Sequence, residues 1–160
     1  MLVTAAFQPS HFQVRRSATI SAPPERIFGL ISDFHRWDAW SPYEKLDPAM
    51  RRRFSGADRG VGSVYQWEGN SKAGKGRMEI VEAPAQSRVA IKLDFEKPFE
   101  AHNVATFTLE PRGATTDVTW SMDGPTPYVG KIIHLFVDMD RLVGRDFETG
   151  LANLKAAAER

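Results

Sequence analysis

The sequence predicts an α+β fold in which a curved antiparallel sheet of about seven strands packs against one long C-terminal helix. Residues 50–123 consist of short segments in which apolar and polar side chains alternate, separated by turns rich in Gly, Pro and Asp. The connections between these segments are short, which favours antiparallel pairing. The end of the chain instead carries an apolar stripe with helical spacing, which predicts a helix.

The N-terminal part of the chain predicts a strand and then a short helix. Residues 1–10 show no clean period, so we expect a flexible tail there and a single domain over residues 11–160. FQVRRSATISA alternates as a strand does. In SAPPERIFGLISDF, two prolines and an acidic first turn begin a helix of about three turns. Its apolar stripe consists of Ile27, Leu30, Ile31 and Phe34.

The middle of the chain supplies the remaining strands. They are MRRRF, GSVYQWEG, GRMEIVEA, SRVAIKLDF, AHNVATFTLE and TDVTWSMD. One connection, GNSKAGKG at 69–76, is similar to a phosphate-binding loop. However, Gly76 replaces its Ser or Thr, and a strand rather than a helix follows. We therefore expect a hairpin turn.

The last helix is predicted to begin near Thr126, a potential cap, with Pro127 in the first turn. Its apolar stripe continues to Leu154, giving a length of about 40 Å. Three glycines interrupt it, each costing about 1 kcal/mol relative to Ala. We expect a strand or side chain to approach the helix backbone closely at these positions, which are Gly130, Gly144 and Gly150.

The composition excludes several classes of function. Lys and Arg total 21 against 20 Asp and Glu, so the net charge of +1 favours no nucleic-acid partner. The absence of Cys excludes disulfides and thiolate chemistry. No segment approaches the ~18 apolar residues of a membrane span, and the N-terminus is a poor signal peptide. We expect a cytoplasmic protein without cofactor, metal or stable membrane insertion, as a monomer or weak homodimer.

Strand parity predicts a sheet with one apolar face. A sheet of this kind is about 30 Å wide, whereas a helix is about 10–12 Å across, so one helix cannot fill the trough. Bulky side chains, other elements or a cavity must occupy the remaining space. The aromatic segment DFHRWDAWSPYEKLDP lies where it can plug one end, so we expect Trp37 and Trp40 to face inward.

The chain resembles the helix-grip fold of the SRPBCC superfamily, which includes START domains and birch-pollen allergen relatives. The closest likeness is to its bacterial polyketide cyclase/dehydrase-like subgroup, through WSPYEKLDP, GVGSVYQWEGN, GKGRMEI, FEKPFEAHN and VTWSMDG. The resemblance extends from about residue 12 to the end. It implies a pocket for lipids, polyketides or other apolar molecules between sheet and helix, but no shared catalytic motif.

Titratable residues give no recognisable catalytic or metal-binding constellation. Asp33, His35 and Asp38 form a polar cluster that helix capping and solvation also explain. By strand parity, His102 is predicted to point away from the concave face of the sheet. The arginines of RRRF alternate between faces, which favours a solvated strand over a basic binding patch.

We therefore predict that the protein binds a small apolar molecule in an internal cavity, with transport of that molecule as an extension. Asn103 is the predicted polar anchor of the cavity. Two alternatives remain open: a polyketide cyclase or dehydratase acting in the same cavity, and an interaction module that uses the aromatic mouth. The predicted ligand-binding residues are Trp37, Trp40, Tyr65, Trp67, Met78, Phe95, Asn103, Phe107, Trp120, Met122, Phe136 and Met139.

Overall fold

Seven antiparallel strands form one sheet in a computed structural model of the chain. The described residues are 11–97, 100–125 and 132–160, and for residue 11 and residues 132–139 the description is limited to the backbone. The strands are β1 (His11–Ile20), β2 (Arg51–Gly56), β3 (Ser63–Glu68), β4 (Lys75–Glu82), β5 (Arg88–Lys97), β6 (Ala101–Arg112) and β7 (Thr115–Pro125). Their order in the sheet is β1-β7-β6-β5-β4-β3-β2, so the first strand pairs with the last.

Helical elements cover the apolar face of this sheet. They are α1 (Pro24–Ile31), two 3₁₀ segments (Phe34–Ala39 and Pro42–Lys45) and α2 (Ile132–Ala158). This arrangement confirms the predicted α+β helix-grip fold with about seven strands. The predicted tail at residues 1–10, the Thr126 cap and Pro127 lie outside the described residues. No helix of the described chain is both long and apolar enough to cross a bilayer.

The helix predicted after the first strand is shorter than expected. It ends at Ile31, and Asp33 begins the first 3₁₀ segment by accepting a hydrogen bond from the backbone N–H of His35. Phe34 therefore belongs to that segment, although it remains buried as the stripe predicted. The hairpin expected in GNSKAGKG is confirmed, because the backbone N–H of Gly69 donates to the carbonyl of Gly74 between β3 and β4.

Strand register arranges the inward side chains in rows that cross the sheet. One row, which we call the Asn103 row, consists of Tyr65, Met78, Leu93 and Asn103. An outer row lies beside it at the end of the sheet and consists of Trp67, Gly76, Phe95 and Ala101. On the other side, about 14 Å from the Asn103 row, the Trp120 row consists of Val89, Phe107, Trp120 and Arg16.

The direction of α2 is set by contacts with β1. Arg16 forms ion pairs with Asp140 and Glu148, whereas Lys155, near the helix end, donates to the carbonyl of Thr19. Its C-terminal half therefore covers the end of the sheet beyond the Trp120 row. The N-terminal half extends towards the Asn103 row and the outer row.

Two helix glycines lie where other groups approach the backbone, as the sequence predicted. A Cβ at Gly150 would be 2.7 Å from Trp120 Cζ3, and a Cβ at Gly144 would overlap the guanidinium of Arg16. Gly130 lies outside the described residues.

These two glycines allow a matched test by substitution with Ala. Ala normally stabilises a helix interior by about 1 kcal/mol relative to Gly. Gly150→Ala should instead lower the free energy of unfolding by about 1–2 kcal/mol, because the Trp120 ring is held on both faces and cannot yield. Gly144→Ala should be neutral or stabilising, because Arg16 can swing away from an exposed ion pair. Urea unfolding of both variants checks this, and a Gly150→Ala protein as stable as the parent would contradict it.

Candidate functional site

The Trp120 row is packed shut. The indole of Trp120 stacks on Phe147 at 3.9 Å between ring centroids and on Phe107 at 4.8 Å. Trp40 meets the same indole edge to face at 5.5 Å. Phe107, Trp120 and Phe147 are each at most 3% exposed. This half of the interface, from the Trp120 row to the end of α2, is called the closed half below.

Trp37 and Trp40 close this half as a plug. Both are buried, and their indole N–H groups donate to carbonyls at the end of α1: Trp37 to Ile31 at 2.8 Å, and Trp40 to Leu30 at 2.9 Å. The two rings contact each other at 4.7 Å and each also contacts Phe107. Their hydrogen-bonding capacity is therefore used within the protein. The exposed aromatic patch that an interaction module would need is not formed by these two side chains.

The opposite end of the sheet is packed less tightly, and we call it the open half. Trp67, Leu93 and Phe95 point towards the helix side but remain partly exposed. Trp67 lies over Gly76, where a Cβ would be 2.5 Å from its ring, and its N–H donates to the carbonyl of Ala73. The edge-to-face contact of Trp67 with Phe95, at 5.7 Å, continues this aromatic wall. Among the residues that the structure describes, large apolar side chains on the concave face of the sheet therefore keep accessible surface in this half and not in the closed half.

Two methionines continue the same wall. Met78 is 9% exposed and Met122 is 8% exposed, in contrast to Phe107 at 0%. The flexible thioether of Met adapts to contacts of different shape. The side chains of Phe136 and Met139, which were predicted to contribute from the helix, lie outside the described residues.

Asn103 is the polar group of the open half. Its amide is 8% exposed, and its nitrogen donates to the sulfur of Met122 at 3.8 Å, a weak acceptor. Its oxygen lies against Gly124 on the neighbouring strand, where any Cβ would collide with it. Gly124 thus gives the amide room on the inner face of the sheet. Sequence parity placed Asn103 on this face correctly.

A hydrogen-bonded triad around the buried carboxylate of Glu44, which the sequence analysis missed, supports the wall at Tyr65. Glu44 in the second 3₁₀ segment accepts from the hydroxyl of Tyr65 at 2.5 Å and from Nε of Arg52 at 2.9 Å. Its side chain is 8% exposed. Burial and then the Glu44 hydrogen bond raise the pKa of Tyr65. Because both carboxylate oxygens are engaged, the triad fixes Tyr65 and offers no free base. Parity could not reveal Glu44, since it lies in no strand.

The neighbouring residue Tyr43 connects the same segment to α2. Tyr43 lies beside Asp146 of α2 and meets Trp120 edge to face at 6.4 Å. Burial and the charge of Asp146 raise the pKa of Tyr43, and burial also raises the pKa of Asp146. Trp120 Nε1 is buried beside them and has no hydrogen-bond partner in the part of the chain that the structure describes.

The sequence matches the family model described as "Polyketide cyclase / dehydrase and lipid transport" over residues 11–159. The chain belongs to this family. The resemblance to the SRPBCC superfamily drawn from the sequence is thereby confirmed. A comparison with curated proteins finds no significant match.

Solved structures similar to this family member share its fold. Protein CV1439 from Chromobacterium violaceum has a TM-score of 0.66 and 18% identity, covering 92% of this chain and 97% of that one. The Aha1 dimer from Colwellia psychrerythraea has a TM-score of 0.61 and 17% identity, covering 92% and 96%. DynU16, from the dynemicin biosynthetic locus, has a TM-score of 0.61 and 14% identity, covering 90% of this chain and 46% of that one.

Other polar side chains of this family member lie away from the open half. His102 is exposed on the convex face, as predicted, and hydrogen bonds to Asp94 and then Glu100 raise its pKa. His35 pairs with Asp33 and stacks on Phe54 at 4.2 Å. These two rings border a surface recess beside β2 that is open to solvent.

The triad predicts a specific dependence of stability on alkaline pH. Tyr65 keeps its proton in the folded protein above pH 10, the usual pKa of tyrosine, whereas unfolded Tyr65 loses it. Its contribution is therefore complete below about pH 10 and is lost as the pH rises towards the folded pKa. Above pH 10 the free energy of unfolding should fall by about 1.4 kcal/mol per pH unit from this group.

Tyr65→Phe should remove this component of the slope. Urea unfolding of the parent and the variant at pH 9, 10 and 11 measures it, and Tyr43 is present in both proteins, so its own contribution cancels. Identical slopes for the two proteins above pH 10 would show that Tyr65 ionises freely in the folded state.

Proposed function

We propose that this protein binds, and by extension carries, a small and mostly apolar molecule in a pocket between the open half of the sheet and the N-terminal half of α2. The observation that supports it best is the difference between the two halves of the concave face. Trp67, Leu93 and Phe95 keep accessible apolar surface on the inner face of the sheet, whereas the apolar side chains of the Trp120 row keep almost none. An apolar ligand would cover this surface.

The proposed pocket has walls, a floor and a back. The walls are the aromatic side chains of the outer row on β3 and β5 and the thioether of Met122 on β7, the Asn103 row, with Met78, forms the floor, and the Trp120 stack closes the back. From the predicted set, the proposal keeps as ligand contacts Tyr65, Trp67, Met78, Phe95, Asn103 and Met122, with Phe136 and Met139 from the helix. It assigns Trp37, Trp40, Phe107 and Trp120 to the back of the pocket and its plug.

The expected affinity follows from the area a small ligand can bury. Burying ~300 Å² of apolar surface contributes about 7 kcal/mol at ~25 cal/mol per Å². The loss of translational and rotational freedom opposes this. A dissociation constant in the micromolar range or weaker is therefore expected.

Binding is favoured over catalysis by the chemistry of the described wall. A cyclase or dehydratase needs an acid or base in the pocket with an accessible proton site. In the Asn103 row and the outer row, the titratable group is Tyr65, whose raised pKa keeps it protonated while Glu44 accepts its hydrogen bond. The proposal also retains a single domain over residues 11–160, a monomer or weak homodimer, and a cytoplasmic location.

The neutral fluorescent probe N-phenyl-1-naphthylamine tests the pocket directly. We expect its emission to rise and shift to the blue on binding, with a micromolar dissociation constant. Leu93→Trp adds bulk on the inner face and should weaken binding at least tenfold. Lys92→Trp adds the same side chain to the opposite face and should leave binding unchanged.

Circular dichroism establishes that both variants are folded before the comparison. Equal affinity of the two variants, or no binding of the probe to the parent protein, would refute a pocket on this face.

A further inference from the structure

The amide of Asn103 is a buried polar group that the protein itself leaves weakly bonded. Its nitrogen carries two N–H donors, and the partner that the described residues supply is the sulfur of Met122 at 3.8 Å. A buried amide donor without a good acceptor is destabilising.

The site around Asn103 is built to keep this amide in place. Gly124 lies opposite it without a side chain, and a Cβ there would also be 2.9 Å from the ring of Phe12. Leu93 pairs with Asn103 across the sheet on its other side. The amide is thus surrounded by apolar groups on both neighbouring strands, in the row that forms the floor of the proposed pocket. One N–H of Asn103 Nδ2 thus has no oxygen or nitrogen acceptor among the described residues, and a ligand oxygen that accepts from it would supply one.

The charges of the inner face restrict this acceptor further. Two cations occur among the described residues of the sheet's inner face, Arg16 in the Trp120 row and Arg52 opposite Trp67 on β2, and each is already paired with carboxylates. A ligand carboxylate or phosphate would therefore lose its hydration without gaining a free cationic partner there. A carbonyl or hydroxyl oxygen loses far less on entering the pocket.

We propose that the pocket selects an uncharged apolar ligand that carries a carbonyl or hydroxyl oxygen, and that the amide of Asn103 donates a hydrogen bond to this oxygen. This inference rests on the proposed binding function and names the class of molecule bound. It distinguishes neutral oxygenated molecules from free fatty acids, phospholipid headgroups and plain hydrocarbons. Asn103 is accordingly a specificity-determining residue.

A matched series of competitors for N-phenyl-1-naphthylamine tests this proposal: naphthalene, 2-acetonaphthone and 2-naphthoate. The three share one ring system. Naphthalene carries no oxygen, 2-acetonaphthone carries a neutral carbonyl, and 2-naphthoate carries a carboxylate. The parent protein should bind the ketone about tenfold more tightly than the hydrocarbon, the gain typical of a buried hydrogen bond. It should bind the carboxylate most weakly at pH 7.

Asn103→Leu keeps the approximate size of the side chain and removes the donor. This variant should lose the preference for the ketone, measured as the ratio of its affinities for 2-acetonaphthone and naphthalene, so that any general change in the affinity of the pocket cancels. Its melting temperature without ligand should equal or exceed that of the parent, because a poorly bonded buried amide has been removed. Asn103→Thr, which retains a smaller hydroxyl donor, is a second variant that should recover part of the preference.

The outcomes separate this inference from the proposed function. If naphthalene binds but Asn103→Leu retains the ketone preference, or if the carboxylate binds most tightly to the parent, Asn103 does not set the ligand class and the inference is wrong while the pocket stands. If none of the three competitors displaces the probe, and the probe itself does not bind, both the pocket and the inference fail.

Discussion

The stack of Trp120 between Phe107 and Phe147 is the constraint on which the rest of the structure depends. It joins the middle of the sheet to the middle of α2 through three rings in contact, with Gly150 letting the indole approach the helix backbone. Because protein interiors tolerate little change in volume, such a stack acts as a fixed wall. It divides one broad sheet–helix interface into a closed half that stabilises the fold and an open half that keeps accessible apolar surface.

The second 3₁₀ segment, Pro42–Lys45, secures this division from the side. Its adjacent residues Tyr43 and Glu44 extend in different directions, one to Asp146 on α2 and the other to Tyr65 on β3. A short irregular segment thereby connects the helix to the sheet at the boundary of the two halves. The side chain of Glu44 is 8% exposed, so removing the Tyr65 hydroxyl would leave a buried carboxylate oxygen without its partner. The same contacts hold Tyr65 in the row that carries Asn103.

The sequence predicted the sheet and its inner face because alternation with period two is a strong local signal. Asn103 and Trp120 were placed on the concave side by this signal alone. The helix glycines also predicted close approaches, but not that Arg16 would be the group at Gly144, because this depends on the pairing of β1 with β7.

Other features of the site could not be read in this way. Glu44 lies in a 3₁₀ segment with no periodic pattern, and its burial follows from tertiary contacts with Arg52 and Tyr65. The aromatic plug was predicted to face inward. The hydrogen bonds of its two indole N–H groups to carbonyls of α1 could not be predicted, because they depend on where that helix ends. The division into closed and open halves likewise requires the direction of α2 along the sheet, which no local pattern encodes.

The central claim is that a ligand occupies the open half and not the closed one, and methyl NMR of methionine tests it most directly. Met78 and Met122 lie on the inner face of the open half. With ¹³C-methyl methionine and added N-phenyl-1-naphthylamine, the account predicts saturable shifts of both signals in the parent protein and in Lys92→Trp, and much smaller shifts at the same probe concentration in Leu93→Trp. Saturable binding that leaves the Met78 and Met122 signals unperturbed would contradict it.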